Sequence, residues 1–164
     1  MAIDAHLKIE GAFEIKGESK VKGHEDQIQL LSYSFGVSNR GSRHESTGGG
    51  TEKGDFGDMS FMVKNSKALP LLFLAAASGK HIDKATLYVS KAGGDDPVVY
   101  LEVEMKDCLI SSWQTSASEG GDVGMETFSL NFAEVKVTYR GQKADGTAEP
   151  DVTQGWKIAV GEKI

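Results

Sequence analysis

Apolar and polar residues alternate between positions 98 and 140 in a pattern that predicts one long β-hairpin. When residues whose numbers sum to 240 are paired, the turn is centred on Gly120 and matching side chains face each other along nearly the whole ladder. Apolar pairs and oppositely charged pairs both stabilise an antiparallel ladder. The matched pairs are Leu101 with Tyr139, Val103 with Val137, Met105 with Val135, Cys108 with Phe132, Ile110 with Leu130, Glu104 with Lys136, and Lys106 with Glu134.

The apolar phase of this hairpin changes in both strands at the same level, after Met105 in the first strand and after Phe132 in the second. A one-residue shift moves side chains to the other face of a sheet, so the two coordinated changes predict a bend or bulge where a long ribbon passes from one sheet to another. Long, curved strands of this kind are typical of barrels and sandwiches. We therefore predict a mainly β fold, an antiparallel β-barrel or sandwich.

Shorter alternating segments predict further strands around Leu7, Phe61, Leu87 and Ile158. Another strand is predicted from position 28 to position 37, and its apolar phase changes halfway along. This change predicts a second bend.

Residues 66 to 78 have the pattern of a helix. Ser66 can cap it, Pro70 fits its first turn, and Gly79 can end it in a left-handed conformation. The residues between are leucine, phenylalanine and alanine nearly all round the helix. This composition predicts burial on most sides, with the helix plugging or packing against one end of the barrel.

The segment from position 38 to position 57 is polar and rich in glycine, with six glycines and Phe56 as its only large apolar residue. It cannot contribute a core. A polar loop of this length inside a compact domain is usually functional, because a partner must offset the entropy lost when the loop becomes ordered.

Composition narrows the class of protein. A chain of 164 residues with 39% hydrophobic residues can bury one good core, so we predict a single domain over positions 1–164. The net charge of −6 and the lack of a basic patch argue against nucleic-acid binding. No apolar run reaches the roughly 20 residues of a membrane helix, and charges at Asp4, Lys8 and Glu10 argue against a signal peptide.

The residue types needed for catalysis or for metal binding do not occur in suitable arrangements. Cys108 occupies an apolar strand position, which predicts a buried thiol rather than a nucleophile. Asp95 and Asp96 lie in a glycine-rich turn, where they favour turn formation over acid–base chemistry. The histidines are far apart, which argues against a metal site and suggests positions at the surface or at strand ends. We therefore predict no catalytic residues, no metal and no cofactor. The histidines are His6, His24, His44 and His81.

Several strands carry apolar groups on both faces. Tyr88, Tyr100 and Leu109 each lie opposite to the local apolar phase. Scattered exposed apolar residues are normal, but several such residues on long strands suggest contacts between subunits.

Motifs spread over nearly the whole chain resemble the hemolysin-coregulated protein family, Hcp, of bacterial type VI secretion. Each motif is weak alone, and their number, order and spacing together make the match specific. The first connection departs from the family pattern by extra residues at positions 12–16. The matching positions are Asp4, Leu7-Lys8-Ile9, Gly17-Glu18-Ser19, His24, Leu31-Ser32-Tyr33-Ser34-Phe35-Gly36, Ser66, Pro70-Leu71, Lys91-Ala92-Gly93-Gly94, Ser111-Ser112, Gly120-Gly121, Leu130-Asn131-Phe132, Tyr139 and Gly155-Trp156.

The resemblance implies a fold similar to phage tail-tube proteins and assembly into a homohexameric ring with a wide channel. Such rings stack into a tube inside a contractile sheath, and the tube is expelled with a VgrG-type spike. Small effector proteins bind in the channel of related proteins. The chain would then be made in the bacterial cytoplasm and secreted without a signal peptide, with neither membrane insertion nor nucleic-acid binding.

Two sets of residues follow as candidates. The polar loop is expected to contact the next ring or subunit, and polar residues beyond the apolar part of the hairpin are expected to face the channel. The ring-stacking candidates are Arg40, Arg43, His44, Glu45, Thr47, Gly48, Gly49, Gly50, Glu52 and Lys53, and the lumen candidates are Ser111, Ser112, Gln114 and Thr115.

Two other classes of function compete with a secreted tube subunit. A monomeric β-barrel could bind a small ligand in its interior, provided that the apolar helix leaves a cavity open. An enzyme could use Cys108 or a pair of carboxylates.

Overall fold

The computed structural model describes residues 3–39, 54–91 and 97–164. These residues form eleven strands and one helix, which confirms the prediction of a mainly β, antiparallel fold with a single helix. The elements in chain order are β1 (Asp4–Glu10), β2 (Ile28–Leu30), β3 (Ser32–Ser34), β4 (Val37–Ser38), β5 (Asp55–Phe56), β6 (Met59–Lys64), α1 (Leu69–Ser78), β7 (Ile82–Lys91), β8 (Val98–Ser116), β9 (Met125–Tyr139), β10 (Val152–Lys157) and β11 (Glu162–Lys163).

The main sheet has the strand order β11-β10-β9-β8-β7-β1-β2, with β6 paired to β9 and β3 paired to β6. Strands β4 and β5 form a separate two-stranded sheet. Buried side chains from β1, β2, β6 to β9 and α1 belong to one core cluster, so the sheet curves to bring distant strands over the same core. Phe61 and Phe128 pack within it with their ring centroids 5.1 Å apart.

The predicted hairpin is formed by β8 and β9. Its residues pair with numbers summing to 240 from Leu101 with Tyr139 to Ile110 with Leu130. The register then shifts by one, because Ser112 rather than Ser111 pairs with Ser129. The prediction is thus confirmed over the longer part of the ladder, and a bulge that it did not include lies at Ser111.

The predicted bend lies where the apolar phase changes. Asp107 has a φ of 55°, a left-handed conformation that Asp tolerates better than most residues. Met105 and Cys108 are both buried although they are three residues apart, and the same holds for Phe132 and Val135 on β9. Below the bend, at residues 134–139, β9 pairs with β10, and above it, at residues 125–130, β9 pairs with β6. The ribbon therefore changes its neighbours at the bend, as the sequence predicts.

The second predicted bend, in the strand from 28 to 37, is also confirmed. Strand β2 pairs with β1, whereas β3 pairs with β6. Leu31 lies between them, and its N–H donates a hydrogen bond to the carbonyl of Met62 (2.8 Å). The chain thus changes partner within a single residue.

The N-cap of helix α1 lies two residues later than predicted. Ala68 is the residue at its N-cap, and the hydroxyl of Ser66 instead accepts a hydrogen bond from the Ala68 N–H (3.3 Å). Pro70 lies in the first turn and Gly79 ends the helix with a φ of 64°, both as predicted.

The prediction that the helix is buried on most sides is wrong. Only Leu72 and Ala75 are buried within it, while Phe73 is 53% exposed and Leu74 is 49% exposed. The helix lies on one face of β8 rather than plugging a barrel, so only the side toward the sheet is covered. No helix among the described residues is long and apolar enough to cross a membrane.

Candidate functional site

The bulge at Ser111 creates a polar cluster on the face of the hairpin opposite to the core. Because Ser111 is the extra residue on β8, it and Ser112 both reach Ser129 on β9. The distances from the Ser129 Oγ to the Ser111 Oγ and the Ser112 Oγ are 2.7 and 2.6 Å. Three hydroxyls are therefore held together by the geometry of the bulge.

Asp58, which directly precedes β6, anchors this cluster from a third segment of chain. One of its carboxylate oxygens accepts a hydrogen bond from Ser111 (2.7 Å), and the other accepts one from the Asn131 amide (2.9 Å). We call Asp58, Ser111, Ser112, Ser129 and Asn131 the serine cluster. It presents hydroxyl, amide and carboxylate groups, which suit hydrogen bonding to a polar surface.

The four lumen candidates do not all lie together. Gln114 is exposed and pairs with Thr127, which shares the face of Ser129. Thr115 pairs with Glu126 on the opposite face, the one that carries Trp113. Its hydroxyl donates to the Asn65 side chain and to the Met125 carbonyl. The structure thus brings Ser111, Ser112 and Gln114 to one surface and places Thr115 on the other.

Sequence reasoning missed Asp58, Ser129 and Asn131. A signal for Ser129 was present, since pairing residues that sum to 240 already sets it opposite Ser111. Asp58 is 53 positions from Ser111, and no local pattern connects the two.

The ten ring-stacking candidates, from Arg40 to Lys53, lie outside the described residues. The two ends of their loop are described. Val37 pairs with Phe56 and Ser38 pairs with Asp55, and the Gly57 N–H donates to the Gly36 carbonyl (3.0 Å). A short antiparallel arm therefore joins the described residues on either side of this stretch.

An apolar groove of about 410 Å³ separates this arm from the lower half of the main sheet, where β9 pairs with β10. Phe35, Val37 and Phe56 form one wall, and Val137 and Trp156 contribute to the other. Val37 is 56% exposed. A continuous apolar surface of this kind is typical of a binding interface rather than of free protein surface.

The comparisons with known proteins agree with one another. Residues 6–139 match the family model described as "Type VI secretion system effector, Hcp". Protein hcp1 of Pseudomonas aeruginosa is 43% identical over 159 residues, which cover 96% of each chain. The chain belongs to the Hcp family.

Solved structures support the fold of this Hcp chain. The crystal structure of Hcp1 from Salmonella typhimurium has a TM-score of 0.80 at 31% identity and covers 100% of both chains. A structure described as a type six secretion system protein has a TM-score of 0.90 at 24% identity, covering 99% of this chain and 100% of that one, and it shows likeness of fold alone. The family predicted from the sequence motifs is confirmed.

Cys108 of this Hcp chain is a buried thiol, as predicted. It is 2% exposed, and burial, followed by the nearby Asp107 carboxylate, raises the pKa of Cys108 to about 12. Because the thiolate is the reactive form of cysteine, this environment disfavours a nucleophilic role.

The prediction that the histidines lie at the surface or at strand ends is wrong for two of them. His6 is 0% exposed and His24 is 8% exposed. His6 lies in the middle of β1, and His24 folds over it from the connection before β2. His81 is exposed and contacts Asp83 and Asp107.

Proposed function

We propose that this Hcp chain is the structural subunit of a type VI secretion tube. Six copies form a ring, rings stack into a tube inside a contractile sheath, and the tube is expelled with a VgrG-type spike. The proposal rests on family membership and on the apolar groove between the β4–β5 arm and the lower half of the sheet, which a second copy would cover.

A closed ring requires each copy to present two different, complementary surfaces, because head-to-tail contacts generate rings when the rotation closes. The groove is concave and almost wholly apolar, which suits one half of such a contact. Burial of the groove would also remove the exposed part of Val37 from water, which stabilises the contact by about 25 cal/mol for each Å² of apolar surface buried.

The serine cluster and Gln114 are proposed to face the channel and to bind small effector proteins. Ser112 and Gln114 share one exposed face of β8, and Ser111 contacts Ser129 on the same face. Hydroxyl and amide groups can bind a range of polar cargo surfaces without a deep pocket. Thr115 stays a lumen prediction on sequence grounds.

The remaining parts of the proposal concern the chain as a whole. It would act as one domain over positions 1–164, without a catalytic residue, metal or cofactor. The loop from Arg40 to Lys53 would contact the neighbouring ring. The chain would be made in the bacterial cytoplasm and then secreted, with neither membrane insertion nor nucleic-acid binding.

Native mass measurement tests the ring. Six copies of the 17.6 kDa chain have a mass of about 106 kDa, and this species is expected for the wild-type protein. A species of one chain under all buffers and concentrations would instead favour a monomeric ligand-binding barrel and would refute the ring.

The variant Val37→Glu tests the groove. A buried, unpaired carboxylate in an apolar contact is strongly unfavourable, so this variant is expected to have the mass of one chain. Val160→Glu is the matched control, because Val160 is equally exposed at 58% but does not line the groove, and it should keep the six-copy mass. If Val37→Glu also keeps it, the groove is not the contact between subunits.

A further inference from the structure

Two histidines from different parts of the chain form a buried stack. The rings of His6 and His24 have centroids 4.7 Å apart and are nearly parallel, with an interplanar angle of 4°. Tyr88 of β7 also contacts His24, with ring centroids 5.3 Å apart. We call His6 and His24 the histidine pair.

The histidine pair joins the segment 17–27 to β1. The hydroxyl of Ser19 is hydrogen-bonded to His6 Nε2 (3.0 Å), and the Gln27 side-chain oxygen to His24 Nδ1 (3.0 Å). The segment is also closed on itself, since the Gly17 N–H donates to the Asp26 carbonyl (2.8 Å) and the Asp26 N–H donates to the Ser19 carbonyl (2.9 Å). It can therefore move as a unit if the pair separates.

The surroundings of His6 favour its uncharged ring. Burial lowers the pKa of His6, the charge of His24 lowers it further, and Asp4 opposes both effects. The Asp4 carboxylate lies 3.5 Å from His6 Nδ1, which has no hydrogen-bond partner. This carboxylate is itself partly exposed, so it only partly offsets a positive charge on His6.

Other elements packed around the pair supply little countercharge. Across the sheet, His6 pairs with Gln29 of β2 and with Tyr88 of β7, which are both uncharged at neutral pH. Beyond Tyr88, Glu102 of β8 is ion-paired with Arg140 (2.9 Å). Segment 17–27 carries a net charge of −1, from Glu18, Glu25 and Asp26 against Lys20 and Lys22. Glu25 is exposed, and its pKa is lowered mainly by backbone hydrogen bonds and slightly by His24. Two stacked imidazolium rings would thus repel each other in a poorly solvated site.

We propose that the histidine pair is an acid-sensitive contact that holds segment 17–27 on β1 at neutral pH and releases it when both rings are protonated. In the closed form, with segment 17–27 on β1, His6 binds a proton less tightly than in the open form, with the segment released. Its stability is therefore complete above the ordinary histidine pKa of 6.5 and is lost as the pH falls below that value. The contact lies within one chain, so this proposal does not depend on the ring.

Hydrogen exchange of the intact protein tests the release. After correction for the intrinsic pH-dependence of exchange, protection of segment 17–27 should fall by up to about tenfold between pH 7.5 and pH 5.5, since pH 5.5 lies one unit below the ordinary histidine pKa and each unit changes the opening equilibrium about tenfold. Protection of β9 around Phe128 should stay constant. Equal loss in both regions, or no loss in the segment, would overturn the proposal.

The variant His24→Phe isolates the charge, because a phenyl ring can stack on His6 and Tyr88 but takes up no proton. Its segment 17–27 should lose less protection at pH 5.5 than in wild type, because burial still opposes protonation of His6 but the charge of His24 no longer does. His24→Gln, a second variant that cannot be protonated at position 24, should show lower protection at every pH and an acid step smaller than that of wild type. His81→Phe is the control, and the acid step should persist in it. An acid step of wild-type size in His24→Phe or in His24→Gln would refute the role of the pair.

Discussion

Glu126 is a buried carboxyl group in the hairpin, and its replacement by glutamine tests the electrostatics of the core. Its side chain is 1% exposed. The Trp113 Nε1–H donates a hydrogen bond to Oε1 (2.9 Å), while Oε2 has no partner. Burial raises the pKa of Glu126, and the hydrogen bond from Trp113 only partly offsets this. The folded protein therefore favours the uncharged form of this residue.

The sign and size of the effect follow from this environment. Because the pKa is higher in the folded state than the ordinary 4.5, the free energy of unfolding decreases as the pH rises from 4.5 through the folded-state pKa. Glutamine keeps an acceptor for Trp113 and has no charge. Its Nε2 takes the place of the unpaired Oε2, so only the cost of the buried charge is removed. Each unit by which folding raises the pKa costs the wild type about 1.4 kcal/mol, so Glu126→Gln should be more stable than wild type by roughly 1–3 kcal/mol at pH 7.5 and equal to it near pH 4.

Thermal unfolding at equal protein concentration measures the difference at both pH values. For a chain of this size each kcal/mol corresponds to roughly 2–4 °C, so we expect Tm to rise by about 2–12 °C at pH 7.5 and to be unchanged near pH 4. Glu119→Gln, at an exposed turn position, is the control and should differ little from wild type. A Glu126→Gln advantage that is absent at pH 7.5, or equal at both pH values, would refute this account of the buried carboxyl.

Two further predictions concern the proposed tube. Replacing Ser112 with Glu should leave the six-copy mass unchanged but weaken effector co-purification, because a carboxylate would repel the Asp58 carboxylate and disrupt the serine cluster. Ser118→Glu in the hairpin turn is the control. Unchanged cargo retention in Ser112→Glu would remove Ser112 from the channel surface. Deleting residues 47–53 should keep single rings and abolish stacked tubes in electron micrographs, since the β4–β5 arm below the loop is retained. Tubes that persist after this deletion would show that the loop does not join rings.

The hairpin could be predicted because its pattern is long and self-consistent. Apolar and charged positions on two strands agree with one register over ten residues, from Leu101 to Ile110, and the paired change of phase marks the bend. The bulge at Ser111 lies where the strands become polar. There the alternation no longer distinguishes one register from the next, so the shift was not predictable.

The histidine pair and the exposure of α1 depend on tertiary contacts that no local pattern contains. His6 occupies a polar position in an alternating strand, and only segment 17–27 folding over it excludes water. Phe73 and Leu74 are apolar in sequence, but the helix packs on the sheet along one side only. Composition shows that a helix is apolar and does not show how many neighbours cover it.

The bend at Asp107 separates the two proposed surfaces along the same pair of strands. Above it β9 pairs with β6 and carries the serine cluster, whereas below it β9 pairs with β10 and carries one wall of the groove. This arrangement predicts that cargo retention depends on ring formation, whereas ring formation does not depend on cargo retention. A variant of the cluster can lose cargo and keep the ring, but a variant of the groove that abolishes the ring also abolishes the channel, and with it cargo retention. A one-chain Val37→Glu protein that still retains effectors would show that cargo binds outside a closed channel.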